Sequence, residues 1–266
     1  MVHRLPPPRR SVDRTALTAV FTDGFDEGRL DPERWVDHYL PQWTTPERSR
    51  ARYDLDGDGL LLRIDADQPA WRDEDGPMRV SNLQTGSFSG PVGSDRGTHR
   101  HLPGLRVRTE VPTRRWWTPR SGRVEAVLEA SPHPACMLAI WLVGVEESGP
   151  DDSGEITVAE LFGSLRGERR STVRLGVKAV NDPRLRTDIV DLDLPIDTAE
   201  PHRYAAEWSE AGVALSVDGA LVHTVEQTLA YPLQLMIDLF EFPEAGPRDP
   251  AAYPRTARVR SVRGDS

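Results

Sequence analysis

The chain has 266 residues, 38% of them hydrophobic, and a formal charge of −9 from 42 acidic and 33 basic side chains. That length allows one sizeable core, and the acidic balance with no long basic run gives no electrostatic footprint for nucleic acid. No stretch of 18 or more apolar residues is present to span a membrane, and the single cysteine, Cys136, excludes an internal disulfide or a cysteine cluster for a metal.

The composition holds 23 Pro, 21 Gly and seven Trp, which suits many short strands joined by turns and predicts an all-β protein. Of the 33 basic residues only Lys178 is lysine, a bias that reads as genomic GC content rather than chemistry. Residues 1–19 form a Pro/Arg-rich segment with nothing to bury, expected to be a disordered arm ahead of one domain over 20–266. No apolar run follows Met1–Arg14, so the chain as it stands is expected to be cytoplasmic, and secreted only if an upstream signal was removed.

Structure is expected from about Val20, with Phe21, Phe25 and Trp35 as packing aromatics. Asp56-Gly57-Asp58-Gly59 reads as a hairpin turn, lacking the downstream ligands of a calcium loop, and the apolar run Leu60–Ile64 predicts a strand buried on both faces. Residues 66–104 are polar, Gly-rich and irregular, a long loop of the kind that builds a cleft. Trp43, Trp71 and Trp117 are candidate substrate-binding aromatics; for Trp43 and Trp71, stacking on a sugar face competes with burial under the loop. His99 and His101 have no matching carboxylates, so no metal site and no cofactor is assigned.

Strands follow at 121–127 and 139–144, and then the stretch Gly154–Gly163 carries two glutamates five positions apart on an apolar strand. In a regular strand Glu155 and Glu160 point to opposite faces, but one β-bulge between them restores a common face with Thr157. Leaning glutamates so placed start roughly 13 Å apart at the backbone and can bring their carboxyls to the ~5–5.5 Å of retaining glycosidases. The alternative is that both are ordinary glutamates at the rim of a buried strand. Strands at 171–178, 202–208 and 213–224 come next, the last split by Asp218-Gly219, a strong type I′ hairpin signal. Tyr231–Leu239 and Ala257–Arg263 complete the sheets.

Glu155, Thr157, Glu160 and Gly163 resemble the bulged signature of glycoside hydrolase family 16, the laminarinase and lichenase family, with Thr157 in place of its middle Asp. The resemblance extends to Gly122-Arg-Val-Glu-Ala126, to Ala139-Ile-Trp-Leu-Val-Gly144, to His202-Arg-Tyr-Ala-Ala-Glu-Trp208 with the hairpin after it, and to Tyr231–Leu239. It implies a jelly-roll β-sandwich of two curved antiparallel sheets with a concave cleft, Glu155 as nucleophile, Glu160 as acid/base and Thr157 beside them. It also implies substrate contacts from Trp141, from Met137 where the family usually has a second Trp, from Arg174 where it often presents a His, and from Asp238 where it has Asn. The closing strand, with Arg260 at the place of a calcium-binding carboxylate, implies no calcium ion and a pairing of Arg260 with Asp23 or Asp26.

The function so implied is a retaining endo-β-glycan hydrolase or transglycosylase acting on a β-glucan-type carbohydrate. Two alternatives stand beside it: an intracellular enzyme on the same scaffold acting on a non-polymeric small molecule of specialised metabolism, and a lectin-like binder without turnover.

Overall fold

The computed structural model describes residues 20–242 and 248–266, so the expected arm over 1–19 lies outside the described residues. Among the described residues the strands are β1 (Val20–Asp23), β2 (Arg52–Leu55), β3 (Leu60–Ile64), β4 (Arg79–Gln84), β5 (Gly86–Ser87), β6 (Arg114–Arg115), β7 (Gly122–Glu129) and β8 (Cys136–Gly144). They continue as β9 (Glu155–Phe162), β10 (Ser171–Lys178), β11 (Asp188–Leu194), β12 (His202–Ser209), β13 (Gly212–Val217), β14 (Ala220–Val225), β15 (Leu233–Glu241) and β16 (Arg255–Asp265).

All pairings are antiparallel and fall into two large sheets and a short ribbon. One sheet runs β14-β13-β12-β7-β16-β3-β2 with β1 also on β16; the other runs β11-β10-β9-β8-β15-β4; β5 pairs β6. Alternation makes each strand two-faced, so one face of each sheet can be apolar and the two such faces close on each other. Leu60, Leu62, Ile64, Val124, Ala126 and Leu128 of the first sheet meet Leu138, Ile140, Leu142, Leu235, Ile237 and Leu239 of the second, all fully or almost fully buried. Each such side chain contributes about 1.5–3 kcal/mol on burial. This is the antiparallel jelly-roll sandwich, and Cys136 lies in its core.

Local chemistry accounts for several details. Asp218 and Gly219 both have positive φ, 50° and 80°, the requirement of the type I′ turn between β13 and β14. Phe21 meets Trp35 edge-on at 5.2 Å, and Phe25 lies against the same indole. Leu60–Ile64 is not buried on both faces: Leu60, Leu62 and Ile64 face the core while Leu61 and Arg63 are half-buried on the outer side. Strand β4 occupies part of the segment read as loop. Strand β11, whose aspartates interrupt any apolar pattern, had no signal in the sequence. In the closing strand Arg260, the residue left unmatched at a bulge between Val259 and Ser261, pairs with Glu129 of neighbouring β7, whose register partner is Arg258. Asp23 is occupied by the Trp35 indole N–H at 2.8 Å.

The outer face of the six-stranded sheet positions the site. There Met137, Ala139, Trp141 and Val143 of β8, with Met236 and Phe240 of β15, pack against Tyr39, Leu40, Trp43, Trp71, Leu105 and Val107. The loops of 35–51 and 66–112 thus form a roof over half of this face rather than the walls of an open groove.

Candidate active site

Strand β9 carries the site because its register breaks once. Against β8, Ile140 pairs Ala159 and Trp141 pairs Thr157, leaving Val158 unmatched; against β10 the shift lies between Arg174, opposite Glu160, and Gly176, opposite Thr157. This is the expected bulge. Consecutive Val158 and Ala159 both enter the inter-sheet core, so Glu155, Thr157 and Glu160 all project to the outer face. Gly176 answers the bulge on the neighbouring strand with φ of +141°, and a β-carbon there would lie 2.0 Å from the Asp188 carbonyl oxygen.

The two glutamates are almost fully buried and joined by a side chain absent from the sequence-based site. Lys178 of β10, opposite Glu155 in register, places Nζ 3.0 Å from Glu155 Oε1 and in direct hydrogen-bond contact with Glu160 Oε1. The Thr157 hydroxyl donates to Glu155 Oε1 at 2.7 Å, and the Trp141 indole N–H donates to Glu160 Oε1 at 3.2 Å. The ammonium also stands 5.2 Å from the Trp141 ring centroid, a cation–π distance.

Burial pushes Glu160 above the ordinary carboxylate range, with Lys178 opposing and Glu155 adding to the rise. Burial alone would lower Lys178; the two carboxylates outweigh it and hold the amine above its usual value. Both directions follow from one arrangement, a charged lysine held between two buried carboxyls.

Of the other sequence-derived residues, some join this site. Asp238 of β15 lies on the same outer face, buried, and accepts from Asn82 Nδ2 at 2.7 Å; burial first, then the charge of Glu155, pushes it well above the carboxylate range. Arg174 is held by Asp191 of β11 through two hydrogen bonds of 2.8 and 3.0 Å, and its guanidinium lies over the Phe162 ring. Met137 is on the correct face but packed beneath the roof.

The three tryptophans offered as substrate-binding residues lie elsewhere. Trp43 is fully buried and donates to the Thr98 carbonyl at 2.9 Å; Trp71 is buried and donates to the Tyr39 carbonyl at 3.1 Å. Neither ring has a free face. Trp117 belongs to the inter-sheet core, stacked on Phe21 at 5.4 Å, and its ring fills the space that a β-carbon on Gly264 would take.

Sequence reasoning missed Lys178, Tyr39 and His99. Tyr39 packs between Trp71 and Phe240, with its phenol pushed well above the usual range by burial, then by Asp238 and Glu155. His99 is pushed down to about 3 by burial, then by His101 and Lys178, so it stays neutral beside the ammonium. Only Lys178 had a usable signal, as the one lysine in a chain that otherwise uses arginine. Beyond Lys178 the site opens into a cavity of about 570 Å³ lined by Arg174, Lys178, Val180, Thr187, Ile189 and Asp191. Among the described residues no group of three or more His, Cys, Asp or Glu is arranged to hold a metal ion.

Residues 117–240, which include the whole of this constellation except its roof, match the family model of Glycosyl hydrolases family 16. Over that span, just under half of the chain, the sequence is similar to family 16. Among solved structures, it is similar to the GlcNAcα1-4Gal-releasing endo-β-galactosidase of Clostridium perfringens, with a TM-score of 0.80 and 23% identity over 97% of this chain and 65% of that one. It thus spans less than two thirds of that protein. It is also similar to the laminarinase of Rhodothermus marinus, with a TM-score of 0.63 and 20% identity over 94% of this chain and 96% of that one. A third likeness is the Crh5 transglycosylase, with a TM-score of 0.59 and 16% identity over 94% and 85% of the two chains. At these identities the likenesses carry the fold. No curated protein matches by sequence.

Proposed function

We propose that this chain cleaves or transfers a β-glycosidic bond with retention of configuration. Glu155 attacks the anomeric carbon as the leaving oxygen takes a proton from Glu160; Glu160 then activates water or an acceptor hydroxyl, which releases the sugar from Glu155. The observation that carries this reading is the single ammonium touching an oxygen of each carboxyl. Two hydrogen bonds from one nitrogen keep those oxygens within about 6 Å of each other. That favours the ~5–5.5 Å of double displacement over the ~6.5–9.5 Å of inverting enzymes.

The substrate proposed is a β-linked hexose glycan, the class named for the laminarinase and the endo-β-galactosidase. The roof bears on its length. Among the described residues β4, β15 and β8 are covered and the cavity lies on the side of β10 and β11, which supports a second reading, a short or non-polymeric glycoside. The test is incubation of the full chain with β-1,3-glucan, mixed-linkage glucan, β-galactan and small aryl β-glycosides, following product anomers by proton NMR. Initial release of the β anomer supports the reading, and release of the α anomer overturns it. Turnover confined to the aryl glycosides selects the second substrate class.

A further inference from the structure

The two glutamates present two potential negative charges to one buried face, and among the described residues the positive charge that touches both belongs to Lys178. We propose that Lys178 is a positioning residue of the site, the shared counter-ion that holds Glu155 and Glu160 together on one buried face. The inference rests on the glycosidase reading for what that pairing accomplishes, though not for the pairing itself.

Geometry assigns the role. Glu155 Oε1 accepts from Thr157 and Lys178, and Glu160 Oε1 accepts from Trp141 and Lys178, so the ammonium is the donor the two carboxyls share. The surroundings leave the ammonium without a rival. Arg174, on the same strand, has its guanidinium committed to Asp191, and His99, facing from the roof, is neutral. Asp238 on β15 is bound to Asn82, and the Tyr39 phenol beside it is held protonated.

The residue type is informative. An ammonium is a compact point charge that fits between two carboxyl oxygens and onto an indole face, whereas the planar fork of arginine is larger and demands paired acceptors. A chain that uses arginine at 32 of its 33 basic positions keeps a lysine at this one.

The single lysine makes the test direct. Labelling the full chain with lysine carrying 13C at Cε gives one side-chain resonance whose titration reports Lys178 alone. A midpoint above the ordinary ~10.4 that falls in Glu155→Gln and again in Glu160→Gln supports the proposal. A midpoint near the ordinary value, unmoved by either substitution, overturns it. A second measurement is the pH–rate profile. In Lys178→Ala the alkaline limb, where Glu160 loses its proton, should move to higher pH by about 1–3 units, and added ethylammonium should move it back while Lys178→Arg should not. An unshifted limb in Lys178→Ala overturns the proposal. If the wild-type chain turns over no glycoside yet the lysine titration responds as expected, the proposed reaction fails and the counter-ion assignment stands.

Discussion

The outer face of the six-stranded sheet has two halves built from the same alternation and finished in opposite ways. Over β4, β15 and β8 it is sealed: Trp43 and Trp71 are pinned through their indole N–H groups to backbone carbonyls, and Met137, Met236 and Phe240 fill the space beneath. Over β9, β10 and β11 it is charged and partly open, with Lys178 between two glutamates and Arg174 clasped by Asp191. A strand's pattern therefore decides which side chains leave the core, while the loops above decide whether they meet solvent, substrate or a roof. Even in the open half burial is strong enough to be the largest influence on the Glu160 carboxyl, which it pushes up.

The sharpest way to break this contrast is to separate chemistry from packing. On the proposed function, Glu155→Gln and Glu160→Gln each lower kcat/KM by about a thousandfold or more, with the melting temperature within a few degrees of the parent, because the amide retains the size of the side chain and one oxygen to accept from Lys178. A variant that melts far lower yet turns over normally would make the pair structural.

The sealed half should respond in the reverse sense. Trp43→Ala and Trp71→Ala each remove a buried indole and should destabilise the fold by about 3–5 kcal/mol in denaturant titrations. Unchanged stability with a raised KM would instead return these rings to the substrate.

The seam between the halves gives a smaller, pH-dependent effect. Glu146 follows β8 with φ of 61° and accepts from the His99 backbone N–H at 2.5 Å, tying the roof to the sheet. Burial pushes its carboxyl up to about 7, against the pull of the His99 amide and Arg100. A raised carboxyl pKa gives stability that is fully present below about pH 4.5 and lost as pH rises through about 7, at most about 3 kcal/mol. Glu146→Gln, which cannot ionise, should match the parent near pH 4.5 and melt progressively higher than it toward pH 8. A difference that does not change with pH would mean that the carboxyl is not strained by its burial.

The smallest effect belongs to the far sheet. Arg260→Ala removes a half-exposed pair with Glu129 and should cost about 0–1 kcal/mol. Calcium or a chelator should leave the melting temperature unchanged; a rise of several degrees with calcium would reveal ligands that the residues around Arg260 do not suggest.

Much of this architecture was legible because it is periodic. The spacing of Glu155 and Glu160 demanded a bulge, Asp218-Gly219 demanded a hairpin, and the alternating runs of β7, β8, β10, β12 and β15 announced themselves. What stayed hidden depended on contacts distant in sequence. Nothing near Trp43 says that the carbonyl of Thr98 will claim its indole, and nothing near Trp117 says that Gly264 will leave room for its ring. Lys178 was visible but misread: its rarity was taken as a property of the whole composition, when the register of β10 on β9 gives it a local cause.

The two margins of the six-stranded sheet bear on how copies of this protein behave in concentrated solution. At β4 the hydrogen-bonding groups of Gln84 are taken by Val36, through bonds of 2.8 and 3.0 Å, so that rim offers no free template there. At β11 the outward rim is unpaired by any strand, but Asp188, Asp191 and Asp193 recur along it. Asp191 is neutralised by Arg174 and Asp188 faces His223, so a second copy approaching edge to edge would meet polar groups already engaged within the fold. Acids that obscured this strand in the sequence thereby weigh against edge-to-edge pairing.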